Sequence, residues 1–438
     1  MNSISPAEIV NNRFNQIVSS VTGNIQCYCS DPAADFTRNR LLTAEKLIKQ
    51  LVFSESKSIP SELCSFFSEN VPSASAFCQQ RAKLLPEALR RVFLQTADAC
   101  MDALKTYDGW SLIACDGSSV NIPDNPNDTD TLCHVTGTEE TYNQIHLNAI
   151  FDCMSDVFYD CSIDTSKKTG ETRALIKMIR AGNYPQKSIF IADRGYENYE
   201  LMAECLERGQ KFIVRLKDID SNGILSSLNL PESTFDMQIR RVLTRRQDKE
   251  AKQNPQLYRF MPWNQEFSRM PKGGAMDYEL CFRAVRIQLE DGLQECLATN
   301  LDPEQFPSEK LAEIYHFRWN EETGFRKLKY SVGLLSFKSR KRMNIEQEIY
   351  GRMTLFNLNS LLILLTERED SDKGQRKFQY KSCFSTALTN LREFFRGRIS
   401  GENLVLRLKK YLVPVRPDRK AARIRRSKSA VAFNYRAS

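Results

Sequence analysis

Twice along this chain a short, almost wholly apolar run stops at an aspartate with a glycine within two residues. Trp110–Cys115 (WSLIAC) leads into Asp116-Gly117, and Ser188–Ala192 (SIFIA) leads into Asp193-Arg194-Gly195. Such runs, bounded by turn formers, read as strands buried on both faces, which require helices above and below. The surrounding pattern supplies a strand pair over His146–Asp152 and Val157–Asp164 and a helix over Glu171–Arg180 stopped by Gly182. A helix over Glu197–Glu207 and a strand over Lys211–Leu216 follow. This order predicts a mixed α/β sheet. Ligands gather at the strand ends of such sheets, and two outward carboxylates there suit a divalent cation. The plainer reading is that strand-end aspartates cap loops.

The flanking regions differ in character. Residues 1–105 read as all-helical: Leu41–Phe53 carries apolar residues at helical spacing, and Pro60–Glu69 and Ser73–Leu84 follow after short breaks. The last of these, with Gln79, Gln80, Arg81 and Lys83, suits either a helix-turn-helix reader of DNA or a packing domain with a polar face. Residues 218–295 read as a β-rich insertion, with a hairpin signal at Glu290-Asp291-Gly292. The sheet-bearing domain is expected over 106–217 and 296–340, a helical region over 341–412 and a basic tail over 413–438.

Charge narrows the partners. From Arg407 onward eleven Lys/Arg face one acid, Asp418, so this end carries +10 of a net +8 and the rest of the chain is slightly acidic. Phe325–Arg342 adds seven Lys/Arg without an acid. Such blocks bind polyanions by displacing condensed counterions, or simply keep a protein soluble. No run approaches the ~20 apolar residues that span a bilayer. There is no secretory start, and the thirteen cysteines form no CxxC pair. A cytosolic protein with reduced thiols is therefore expected. Three histidines argue against a His-rich metal site, and His146 and His316 read as structural. No GxxxxGK[ST] segment supports ATP use.

In YHFRWNEETGFRKLK, Tyr315, Arg318, Glu322 and Lys329 are spaced by 3, 4 and 7 residues. At roughly 100° per residue they fall within about 60° on a helix, forming one polar stripe able to face metal and phosphate together. An exposed helix laced with ion pairs would look similar. Gly324 weakens the helix, which a purely stabilising design would avoid.

Tyr315-x2-Arg318-x3-Glu322-x6-Lys329 resembles the YREK motif of insertion-sequence DDE transposases of the insertion-sequence-four type. Asp116 in IACDGS and Asp193 in IADRGY look like that family's two catalytic aspartates, and the β-rich insertion before the glutamate also fits. The resemblance covers about residues 105–365. It implies an RNase H-like fold and cut-and-paste transposition: cleavage of double-stranded DNA at inverted-repeat ends, then strand transfer into target DNA. It further implies that Asp116, Asp193 and Glu322 bind two Mg2+ ions, with Mn2+ as a substitute, about 3.5–4 Å apart. Tyr315, Arg318 and Lys329 would hold phosphates, with Arg326 and Trp263 as further DNA contacts. Trp263, the one tryptophan of the insertion, would receive an unstacked base or merely pack; Trp319 reads as core. Synapsis of two ends implies a homodimer. A metal-dependent nuclease without strand transfer and an inactive DNA-binding relic are the competing readings.

Overall fold

The computed structural model describes residues 4–38, 40–135, 137–165, 170–289, 292–369 and 380–415. Most of the expected basic tail, and the tip of the Glu290–Gly292 hairpin, lie outside these residues.

Five helices come first: α1 (Pro6–Thr22), α2 (Ala44–Phe53), α3 (Ile59–Phe66), α4 (Ala74–Arg81) and α5 (Pro86–Asp98). Their starts are written in the sequence. Ser5 and Glu8 close a capping box on α1, and Thr43 and Ser73 cap α2 and α4 through their hydroxyls.

The sheet strands are β1 (Ser111–Ile122), β2 (Leu132–His134), β3 (Thr141–Asp152), β4 (Val157–Thr165), β5 (Ser188–Ala192), β6 (Lys211–Leu216), β7 (Phe235–Thr244), β8 (Tyr258–Phe260), β9 (Asp277–Gln288) and β10 (Gln294–Thr299). They join in one sheet ordered β2-β3-β1-β5-β6-β10-β9-β7-β8, with β4 also paired to β3. β1, β5 and β6 run parallel, connected through α6 (Glu171–Ala181) and α7 (Tyr199–Glu207), while β3 and β4 run antiparallel. This is the mixed α/β sheet that the sequence predicts. The β-rich segment, which also carries the short α8 (Lys249–Gln253), builds no separate sheet among the described residues: the β9–β10 hairpin attaches it to β6 and extends the same ladder.

One expectation fails at β1. No turn forms at Asp116-Gly117; the strand continues to Ile122 because β3 pairs with it throughout, from Ile113↔Asp152 to Ile122↔Asn143. On its other side β1 loses its partner after Cys115↔Ala192, where β5 ends.

The sheet separates two cores by strand alternation. Ile113, Cys115, Phe190, Ala192 and Phe212 join the larger core, shared with α6, the N-terminal helices and α11 (Arg342–Glu369). Leu112, Ala114, Ile189, Ile191 and Ile213 face the smaller one, roofed by Leu311, Ile314 and Tyr315 of α9 (Ser308–His316).

Helix α11 is buried over most of its length and spends its polar groups on neighbours. Asn357 pairs with both the N–H and the carbonyl of Phe158 on β4, like an extra strand residue. Glu348 meets Arg81 at 2.9 Å, and Gln347 donates to the Leu84 carbonyl at 2.6 Å. The N-terminal helices are thereby built into the main core. On α4 and just beyond it, only Gln79 of the four side chains expected to read DNA is exposed: Gln80 and Arg81 are buried, and Lys83 is half-buried on Asp35. After α11, α12 (Phe384–Phe395) and α13 (Gly401–Lys410) complete the helical region, joined by the short pairing of β11 (Tyr380–Ser382) with β12 (Leu412–Pro414).

Candidate active site

Parallel neighbours carry matched residues at the same height. Because Cys115 pairs with Ala192, the next residues are Asp116, still on β1, and Asp193, which caps the turn just past the end of β5. Strand alternation puts each on the face of Leu112 and Ala114 or of Ile189 and Ile191, the face covered by α9. Both are half-buried, and each carboxylate accepts a nearby backbone N–H, Asp116 from Gly117 within β1 at 2.8 Å and Asp193 from Gly195 in the turn after β5 at 2.7 Å. Burial pushes the Asp116 carboxyl up to about 6. The negative charges of Asp193 and Glu171 push the same way, against the Gly117 N–H and the Arg318 charge.

The segment after α9 does not form the single helix that the motif spacing suggests. It divides into α9, a turn at Phe317–Arg318, α10 (Trp319–Arg326) and a π-helical stretch over Lys327–Val332. Across the turn the backbone bonds run three residues apart: Arg318 N–H to the Tyr315 carbonyl at 3.1 Å, then Glu321 N–H to the Arg318 carbonyl at 3.0 Å. At three residues per turn, side chains at i and i+3 eclipse. Tyr315, Arg318 and Glu321 therefore line up inward, all buried, while Glu322 turns outward and is exposed. The predicted stripe of Tyr315, Arg318, Glu322 and Lys329 assumed 3.6 residues per turn, and the tightened turn breaks it.

Arg318 is held above its usual pKa. Burial opposes its charge, and Tyr315, Asp193 and Asp116 outweigh that cost. Its guanidinium lies 4.4 Å from the Trp319 ring centre and 5.9 Å from that of Tyr315. Trp319 is 41% exposed, against the expectation of a core residue, because the turn swings it outward to cover Arg318. Glu321 is fully buried, and neither carboxylate oxygen has a hydrogen-bond partner among the described residues. Burial, then the Asp116 charge, drives its pKa well above the carboxylate range.

Lys329 donates to the carbonyl of Ser119, three residues beyond Asp116 on β1, at 3.0 Å. Arg326 is exposed on α10. Trp263 belongs to a different wall: it is exposed in the loop after β8, stacked under Arg245 at 4.9 Å, and that loop is tied to α7 through Ser268 and Arg269 on Glu200. Beside it opens a cavity of about 590 Å³ whose lining includes Tyr199, Arg246, Lys252, Tyr258 and Arg259.

Reading the sequence missed three neighbours of the acid pair. Glu171, at the first position of α6, accepts through Oε1 from His146 Nε2 at 2.9 Å, and Asn148 on β3 lies buried beside them. Glu321 is the third. Glu171 was legible only as a helix start. Its nearness to the aspartates depends on α6 returning over the end of β5.

As they stand, no three His, Cys, Asp or Glu side chains among the described residues form a group that could hold a metal ion. The donor chemistry nonetheless fits a hard divalent cation. Asp116 and Asp193 are neighbouring oxygen donors, and a bound cation would offset the burial and the nearby negative charge that raise the Asp116 carboxyl.

Two neighbouring acids where the parallel pairing of two interior strands ends, with a buried arginine whose charge acts on both, define a carboxylate site open to solvent. The chain belongs to the transposase DDE domain family, whose profile matches residues 109–358, more than half of its length. It is also similar to Transposase InsG for insertion sequence element IS4 of Escherichia coli (strain K12), with 22% identity over 292 residues, 65% of this chain and 60% of that protein's length. A solved structure described as a piggyBac transposase synaptic complex with hairpin DNA aligns over 95% of this chain and 87% of its own, at 11% identity and a TM-score of 0.44. No helix among the described residues is long and apolar enough to cross a membrane.

Proposed function

We propose that this protein is a transposase that cuts double-stranded DNA at the ends of its mobile element and joins those ends to target DNA. The observation that carries this reading is that Asp116 on β1 and Asp193 just past the end of β5 each follow the last paired residues of two parallel strands, Cys115↔Ala192, within a segment matched by the transposase family. Asp116 and Asp193 would hold divalent cations, Mg2+ or Mn2+, with Glu322 supplying the third carboxylate from the exposed side of the Arg318 turn. Such cations, when bound, activate the attacking oxygen and stabilise the leaving one during in-line displacement at phosphorus.

The chain's own residues do the rest. Arg318, nearly buried and braced by two aromatic rings, offers a planar fork that grips a phosphate with little loss of side-chain freedom. Tyr315 orients that fork from below. Lys329 and Arg326 add positive charge along the strand path, and the basic, aromatic cavity beside Trp263 accepts DNA displaced from the duplex. Two copies of the chain would hold the two ends together.

The test is incubation of the full-length protein with DNA carrying its element's ends, with and without Mg2+, resolved on denaturing gels. Mg2+-dependent nicks followed by joined products support the proposal. Cleavage without joining points to a nuclease, and absence of both to a DNA-binding relic.

A further inference from the structure

Past Cys115↔Ala192, β1 has no neighbour on its β5 side, so the two faces of the sheet communicate around the strand end. Gly117 sits at this opening. A Cβ there would run into His146 Nε2 and lie 2.5 Å from Glu171 Oε1 and 2.8 Å from Asn148 Oδ1. Three polar side chains thus fill the space that a side chain at 117 would need. Glu171 gives one oxygen to His146, while Oε2 faces the Asp193 turn, 4.0 Å from where a Cβ on Gly195 would stand; the Asp193 carboxylate is 3.0 Å from that same point. A second observation is independent of these acids. Asn148 Oδ1 is fully buried, aims into the same space and has no hydrogen-bond partner among the described residues, an orphaned acceptor in a place that calls for a donor or a cation's water shell.

We propose that Glu171, oriented by His146, is a further carboxylate of the cation site formed by Asp116 and Asp193, reaching it around the end of β5. This rests on the cation-binding reading of the two aspartates. His146 is the positioning residue: a histidine bonded to one carboxylate oxygen fixes which way the other points, as outer-shell partners do at metal centres. Glu171 is 38% exposed on its side chain, so an ion reaches it from solvent, whereas His146 at 13% is held in place by the sheet.

Mn2+ binding to the purified full-length protein, followed by the electron paramagnetic resonance of free Mn2+, tests this without any cleavage assay. Glu171→Gln is expected to weaken binding at least tenfold with an unchanged thermal melt. His146→Leu is expected to weaken it by about tenfold, and His146→Gln, which keeps a donor for Glu171, to restore it. Should Glu171→Gln lose its cooperative melt, Glu171→Asp keeps the charge with a shorter reach and is expected to bind Mn2+ more weakly than the wild type. If the intact Glu171 variants bind like the wild type while Asp116→Asn does not, the role of Glu171 is wrong and the site stands. Wild-type affinity in Asp116→Asn, or no Mn2+ binding by the wild type, overturns both.

Discussion

Gly324 of α10 lies against the ring of Phe151 on β3: a Cβ on that glycine would stand 2.7 Å from Cζ and 2.9 Å from Cε2. The ring has nowhere to go, since Phe158 packs on it at 4.8 Å and Phe356 at 6.3 Å between centroids. The glycine that looks like a weak point in a helix is therefore what lets α10 pack closely on β3, with Glu321 and the preceding Arg318 turned inward. Gly324→Ala gains about 1 kcal/mol of helix propensity but overpacks the core by about 1–3 kcal/mol. A net loss of stability in urea unfolding is expected; a more stable variant contradicts the packing.

Glu321 carries a cost in the folded protein. Its carboxyl is wholly buried with both oxygens unpartnered. Glu321→Leu keeps the volume and removes the polar group, so it is expected to stabilise the fold by about 1–3 kcal/mol. Glu322→Gln, on the exposed side of the same turn, is expected to leave unfolding unchanged and abolish cleavage. Reversal of these two outcomes would exchange the roles of the two glutamates.

Arg318→Lys tests the phosphate grip. Lysine keeps the charge but loses the planar fork and its stacking on Trp319 and Tyr315. Cleavage is expected to fall by about 10–100-fold while the overall affinity for DNA changes little. Cleavage at the wild-type rate would place the phosphate contact elsewhere.

Glu204 gives the fold a pH dependence of known sign. Its carboxylate accepts from Arg180 at 2.7 Å, Arg208 at 2.5 Å and Arg269 at 2.7 Å, tying α6 and α7 to the loop that carries Trp263. The hydrogen bond from Arg180 leads in lowering its pKa to about 2, with Arg208 and Arg269 adding to it and burial opposing. A depressed carboxylate stabilises fully above its unfolded value, near 4.5, and that contribution disappears as pH falls toward 2. Glu204→Gln is expected to cost about 3 kcal/mol at pH 7. The gap from the wild type should narrow steadily below pH 4.5; a constant gap would contradict the ion-pair account.

Much of this was legible in the sequence because period and punctuation agreed with tertiary structure. β5, β6, α6 with its left-handed Gly182 stop, and the β9–β10 hairpin follow from apolar runs and turn residues. The errors arise where tertiary pairing overrides local signals. β1 runs through Asp116-Gly117 because β3 pairs with it, although the dipeptide reads as a turn. Arg81 looks like a DNA-reading side chain and is instead consumed by Glu348 and Gln347, more than 260 positions away. The inward row of Tyr315, Arg318 and Glu321 was invisible because a three-residue period over one turn leaves no compositional trace. Glu171 and His146 are neighbours only after α6 has folded over the sheet.

The direct test of the acid pair is cleavage of end-labelled element DNA at saturating Mg2+ by Asp116→Asn and Asp193→Asn, each first shown to bind that DNA like the wild type. Loss of cleavage by at least about a thousandfold in both variants, with binding intact, is the predicted result. Wild-type cleavage by either one would contradict the claim that these two aspartates carry the reaction.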